Sequence, residues 1–320
     1  MGITVSADRD VADTTSSTDD VQQASFKAMG CKAHVVIHGG GPAMLVLAER
    51  RVRELESLWS RFLETSDITV ANQTPGVAVH VHEDTLAVVA RAIVGWKQTA
   101  GSFDITLLPR LLDLGYTHSV ATAQLAPAVA GSRVGLCGQI ELDFSRGTLT
   151  VPPDAALDLG GIGKGFAADI VAEDLLEAGA AGALVNIGGD LVALGRPGEQ
   201  DSWYLGIENP LDPPNHLACV RVGSAGVATS GTTVRKWTTP TGERVHHLID
   251  PRTGVPSRAG LSTVSVLAGD AATAEVFATA AMMLDGPDAM AMLDRNGLAG
   301  IGVDDDGGVH RSSTWAAFEV

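Results

Sequence analysis

Apolar residues recur with two spacings along this chain. Leu45, Ala48, Val52, Leu55, Trp59 and Phe62 share one helical face, with Arg and Glu residues on the other. Asp84 or Thr85 caps a second predicted helix, which turns Leu86, Val89, Ile93 and Trp96 inward and stops at Gly101. Pro109 opens a short helical run to Tyr116. Phe166, Ile170, Leu175 and Leu176 mark a further helix that Gly179 ends, and residues 271–284 predict the last one. Elsewhere the pattern is that of strands. Residues 26–39 read as a strand pair folded at Met29-Gly30, and 183–187 with 191–194 as a hairpin through Gly188-Gly189-Asp190. Further strands are predicted at 203–208, 217–222, 233–238 and 261–268, with a turn at 240–242. Residues 65–82 read as loop and short strand, 117–154 as several short strands, and the chain after 284 as short strands around a turn at 304–308.

Hairpins mixed with helices, and no internal repeat, predict an α+β fold with mixed, mostly antiparallel sheets and flanking helices. No linker divides residues 26–320, so they are expected to form one domain. Residues 1–25, rich in Ser, Thr and Asp, are expected to be a disordered acidic tail.

Composition narrows the function classes. The chain has 320 residues, 45% of them apolar, and a net charge of −16. A chain this acidic, with no basic patch, is not built for nucleic acid or an anionic membrane. No apolar run reaches spanning length, and neither a secretory nor a lipoprotein signal is seen, so a cytoplasmic protein is expected. Cys31, Cys137 and Cys219 are far apart and form no metal or redox motif, which reads as buried, inert thiols.

Candidate chemistry centres on residues 155–198. Asp158 closes an apolar run, and Gly160, Gly161, Gly163 and Gly165 follow with Lys164 among them, at the start of a helix. Such a turn presents free N–H groups and a helix dipole to phosphate. It fits neither the Walker A spacing nor G-x-G-x-x-G, so spacing alone explains these glycines better by close strand-to-helix packing.

Four motifs stand in order: Ser102-Phe103-Asp104-Ile105-Thr106, the run from Leu157 to Gly165, Ala228-Thr229-Ser230-Gly231, and the run from His247 through Asp250-Pro251 to Gly254. A fifth, Ala274-Glu275-Val276-Phe277-Ala278-Thr279-Ala280, follows on the last long helix. The ordered set, over roughly residues 26–318, resembles the FAD:protein FMN transferase (ApbE) family. The resemblance implies an ApbE-like, T-fold-related domain that uses FAD with Mg²⁺. It implies transfer of FMN, through a phosphoester, to a Thr or Ser hydroxyl of a target flavoprotein, with release of AMP. By match to the motifs, Met29, Ser102, Phe103, Asp104, Asp158, Lys164 and Ile249 would line the FAD site. Gly161, through its carbonyl, Glu275 and Thr279 would hold Mg²⁺, and His247 would be the base. The family usually carries Asp where Glu275 stands. An FAD pyrophosphatase and a non-catalytic FAD-binding protein are the alternatives. The acceptor protein is not named by the sequence.

Overall fold

A computed structural model describes residues 4–5, 21–118, 125–129, 131–198, 200–239 and 241–320. The expected acidic tail lies mostly outside these residues, as do part of the 117–154 run and Pro240 of the turn at 240–242. Residues 21–25, placed in the expected tail, belong to the strand Val21–Ala28.

The core is one eight-stranded antiparallel sheet. Its order is Val309–Arg311, Ala299–Asp304, Leu261–Ala268, Ala225–Gly231, Asp190–Gly195, Gly182–Ile187, Cys31–His38 and Val21–Ala28. The first hairpin turns at Met29 and Gly30, with φ of 49° and 71°. The hairpin between Gly182–Ile187 and Asp190–Gly195 turns at Gly188 and Gly189, with φ of 67° and 100°. Paired left-handed residues match the right-handed twist of the strands they join.

Side chains alternate across the sheet, so each strand feeds two cores. Val35, Ile37, Val185 and Val192 face the helices α1 (Pro42–Trp59), α2 (Asp67–Gln73), α3 (Glu83–Gln98), α5 (Gly163–Glu177) and α6 (Ala271–Ala281). The short α4 (Leu108–Asp113) precedes α5, and α7 (Gly286–Arg295) follows α6. On the other face Val36, Leu184, Leu191 and Ala193 pack on Trp203, Leu205, Ile207, Val220 and Trp315. That second layer is a three-stranded sheet of Thr4–Val5, Trp203–Glu208 and His216–Val222. Two helices lean on glycine to reach the sheet and each other. A Cβ at Gly165 would sit 2.4 Å from the Ala271 carbonyl oxygen, and one at Gly226 would sit 2.1 Å from the Ala271 nitrogen. α6 is therefore pressed between α5 and the strand Ala225–Gly231.

Several local expectations need correction. Residues 67–73 form α2, which Ser66 caps by accepting the Thr69 N–H at 3.1 Å. Seven residues with β-branched Ile68, Thr69 and Val70 are too few to show a helical period. α7 was hidden by Gly286-Pro287, which reads as a break but places Pro in the first turn behind the Asp285 cap. His82, not Asp84 or Thr85, caps α3, its Nδ1 accepting the Asp84 N–H at 3.2 Å. The strand expected at 233–238 is shorter, Lys236–Thr238. Cys137 is buried as expected, but Cys219 is exposed and Cys31 half-buried.

Candidate active site at the glycine turn

The segment leading into α5 is clamped before it turns. Asn72, buried on α2, accepts the Leu157 N–H at 2.6 Å and donates to the Leu157 carbonyl at 2.9 Å. The Asp158 N–H donates to the Ile105 carbonyl at 2.8 Å, which docks residues 102–106 beside the turn. In that segment Ser102 donates its N–H to the Thr99 carbonyl at 3.1 Å. Asp104 is buried and accepts the Thr106 N–H at 2.6 Å and its hydroxyl at 2.5 Å. Burial pushes its carboxyl above the usual range, against the pull of those two bonds. Phe103 is buried, and a Cβ at Gly161 would lie 3.1 Å from its ring and 3.3 Å from Thr279 Oγ1. The bare glycine lets the turn lie against both.

α5 starts without a side-chain cap, so the turn's own groups and its neighbours must satisfy the first N–H groups. Glu275 supplies one acceptor: its Oε2 takes the Gly165 N–H at 2.8 Å. Its Oε1 bonds the Lys164 ammonium, which also bonds Asp190 Oδ2. Burial alone would depress the Lys164 pKa, but Asp190 and Glu275 hold it well above its ordinary range. Burial pushes the Glu275 carboxyl up, with Lys164 opposing. Two carboxylates on one ammonium leave the cluster with an excess negative charge. Thr279, one turn after Glu275 on α6, places its Oγ1 3.2 Å from Ser230 Oγ.

His247 follows the strand Arg244–His246. Its Nδ1 is buried with no partner among the described residues. Burial, then the charges of Arg235, His246 and Lys164, lower its pKa to about 3, so the ring is neutral. His246 differs: Nε2 donates to the Ser257 carbonyl at 3.0 Å and Nδ1 accepts the Leu248 N–H at 3.3 Å. Ile249 is buried in a short strand pair with Val255–Pro256, and Asp250 beside it is forked by Arg252 at 3.0 and 3.1 Å. Met29 sits at the tip of the first hairpin and donates its N–H to Glu56 Oε1 at 2.7 Å. Cys31, two residues on, reaches the turn: its Sγ would be 2.7 Å from a Cβ at Gly188, and Lys164 Cδ 3.7 Å from the same point.

The structure thus brings together Gly161, Phe103 and Thr279, and separately joins Lys164, Glu275 and Gly165. Both Glu275 oxygens are engaged by protein groups, not turned toward Thr279. Sequence reasoning missed Asp190, Asn72, Arg61, Arg235 and Asp169. Asp190 was read only as the end of a hairpin turn. Asp169, on α5, accepts the N–H groups of Ala271 and Ala272 at 2.8 and 2.9 Å, beside the Asp270 cap of α6, which accepts the Thr273 N–H at 2.7 Å. Burial pushes its carboxyl up to about 7.

Among the described residues no group of three or more His, Cys, Asp or Glu gathers as a metal cage. The oxygen groups near the turn are of mixed kind: the Thr279 and Ser230 hydroxyls, 3.2 Å apart, and the Glu275 and Asp190 carboxylates, which share the Lys164 ammonium. Hard oxygens with excess negative charge suit Mg²⁺ better than a soft metal. No helix among the described residues is long and apolar enough to cross a membrane.

The sequence model of the ApbE family matches residues 29–301. The chain is 30% identical over 292 residues to the FAD:protein FMN transferase of Haemophilus influenzae, covering 86% of this chain and 84% of that one. It is 28% identical over 299 residues to the FAD:protein FMN transferase of Salmonella typhimurium, covering 90% and 85%. The crystal structure of the ApbE protein of Thermotoga maritima superposes with a TM-score of 0.81 at 24% identity, over 94% of this chain and 99% of that one. The apo flavinyl transferase ApbE of Pseudomonas stutzeri gives 0.77 at 25% identity, over 93% and 96%. Fold, ordered motifs and matched length agree, and the chain belongs to the ApbE family.

Proposed function

We propose that this chain is a Mg²⁺-dependent FAD:protein FMN transferase, which moves the FMN half of FAD to a Thr or Ser hydroxyl of a partner flavoprotein and releases AMP. The observation that carries this reading is the buried, neutral, unpartnered Nδ1 side of His247 within electrostatic reach of Lys164 at the glycine turn. A neutral imidazole accepts a proton; a charged one does not.

In this reading the pyrophosphate of FAD lies over the glycine turn, with Lys164 and Arg235 offsetting its charge. Met29, Ser102, Phe103, Asp104, Asp158 and Ile249 line the rest of the site. The acceptor hydroxyl oxygen attacks the phosphorus on the FMN side. The bond from that phosphorus to the bridging oxygen breaks, AMP leaves with the bond's electron pair, and the hydroxyl proton passes to His247. Gly161, Thr279 and the neighbouring carboxylates would hold Mg²⁺, which when bound neutralises pyrophosphate charge and stabilises the departing oxygen. Lys164, bonded by Glu275 and Asp190, stays at the turn until a phosphate or Mg²⁺ takes the place of one of those bonds.

Mass spectrometry tests the reading. Protein, FAD, Mg²⁺ and a lysate of cells lacking this enzyme should give a polypeptide heavier by FMN on a Thr or Ser, with one AMP per label. Free FMN and AMP without a labelled polypeptide would make the protein a pyrophosphatase. Unchanged FAD would make it a binding protein.

A further inference from the structure

The strands Lys236–Thr238 and Arg244–His246 pair with each other and lead straight into His247. A groove of about 460 Å³ lies between this pair, residues 257–260 and Asp305. Thr232 lines it and ties it to the candidate site. The Thr232 N–H donates to the Ser262 carbonyl at 3.0 Å, which carries the pairing of Ala225–Gly231 one residue further. Residues two apart on a strand share a face, about 7 Å from one another. Thr232 therefore follows Ser230, whose hydroxyl lies 3.2 Å from that of Thr279. On the other wall His246 lines the groove, and His247 is the next residue.

The groove reverses the sign of the molecule. Lys236, Arg244 and Arg258 line it, all exposed, against one carboxylate, Asp305, which accepts the Ser262 hydroxyl at 2.8 Å. Arg258 has only a loose, exposed pair with Glu243 at 3.5 Å. Lys236 and Arg244 make no ion pair among the described residues. The chain as a whole carries 22 Lys and Arg against 38 Asp and Glu. Three cations spread along an open groove suit carboxylates on an extended chain better than one compact anion. A long polyanion is repelled by the net charge of −16. The reaction itself leaves these cations unused, because Lys164 and Arg235 face the pyrophosphate.

We propose that this groove docks the acceptor protein, through an acidic segment within a few residues of the Thr or Ser that receives FMN. This rests on the transferase reading above. The acceptor hydroxyl has to reach His247 while FAD fills the site, so the chain that carries it needs a hold outside the FAD pocket. Two residues of extended chain cover the step from Thr232 to Ser230. Opposite charge here selects among proteins and speeds encounter more than it tightens binding.

FMN labelling of the lysate described above tests this with the wild type, the double variant Lys236→Glu/Arg244→Glu, and Arg258→Glu. At limiting lysate the double variant should label about 10-fold more slowly, and wild-type labelling should weaken as salt rises. FAD affinity should be the same in all three. A Thr peptide flanked by Asp and Glu should inhibit wild-type labelling, and its Asn and Gln counterpart should not. Arg258→Glu, expected to slow labelling in the same sense, decides the matter if the double variant does not fold. Labelling by the variants at the wild-type rate, or equal inhibition by the two peptides, would overturn the inference and leave the transferase reading standing. Loss of FAD affinity in Arg258→Glu would make the groove part of the FAD site and overturn it too. No labelled polypeptide with the wild type would overturn the transferase reading, and the inference with it.

Discussion

His246 and His247 are neighbours with opposite surroundings. Both ring nitrogens of His246 are used within the loop, whereas the buried Nδ1 of His247 has no partner among the described residues. His247→Ala should slow FMN transfer by about 10²–10⁴-fold with FAD affinity nearly unchanged, as for loss of a general base. His246→Ala should instead loosen the 246–257 loop and cost far less rate; paired kinetic and binding measurements separate the two. The pH profile carries a second prediction. Burial and Arg235 hold the His247 pKa near 3, below its ordinary 6.5, so acid should not protonate the ring until well below neutrality. Arg235→Leu removes a cation, raises that pKa, and should move the acid limb of kcat/KM upward. Glu275 is the third test. Its length lets one carboxylate hold both Lys164 and the Gly165 N–H. Glu275→Asp, shorter by one CH₂, should therefore weaken Mg²⁺ and FAD binding in calorimetric titrations; tighter Mg²⁺ binding would show that Glu harms the site. At this scale the motifs named His247, Lys164 and Thr279, and the structure sets Lys164 against Glu275 and Thr279 against Ser230. Asp190 and Arg61 were not named, since each becomes meaningful only through a partner far away in the chain.

At the scale of elements, α5 and α6 are the pair that matters. α5 carries the glycine turn and Lys164, and α6 carries Glu275 and Thr279. Their register is set by Gly165, with no room for a Cβ, and by Asp169, which takes two N–H groups at the start of α6. Asp169→Ala leaves both buried donors unmatched and should lower stability by about 2–4 kcal/mol in denaturant unfolding. An effect within error would mean water replaces the carboxylate. The long helices and hairpins were legible because their apolar periods run for many residues. α2 and α7 were not: one is short and β-branched, the other opens on Gly286-Pro287. The cap on α3 escaped because His82 is an unusual cap, and the second acceptor at the start of α6, beside its Asp270 cap, escaped because Asp169 acts from another helix.

Across the whole molecule, an acidic chain of net charge −16 gathers Lys164 and Arg235 around one buried His. The antiparallel sheet, with helices on one face and a second sheet on the other, brings Cys31, Lys164, Asp190, Thr229 and Glu275 to one place. The α+β class was readable from the mix of periods, but this convergence was not, since antiparallel order is set by packing between distant strands. The most direct test is intact-mass analysis of an acceptor protein after incubation with FAD and Mg²⁺, wild type beside His247→Ala. The proposal predicts one added FMN on a Thr or Ser and one AMP per label with the wild type, and almost none with the variant. FAD split to FMN and AMP with no label on any protein, or equal labelling by His247→Ala, would contradict it.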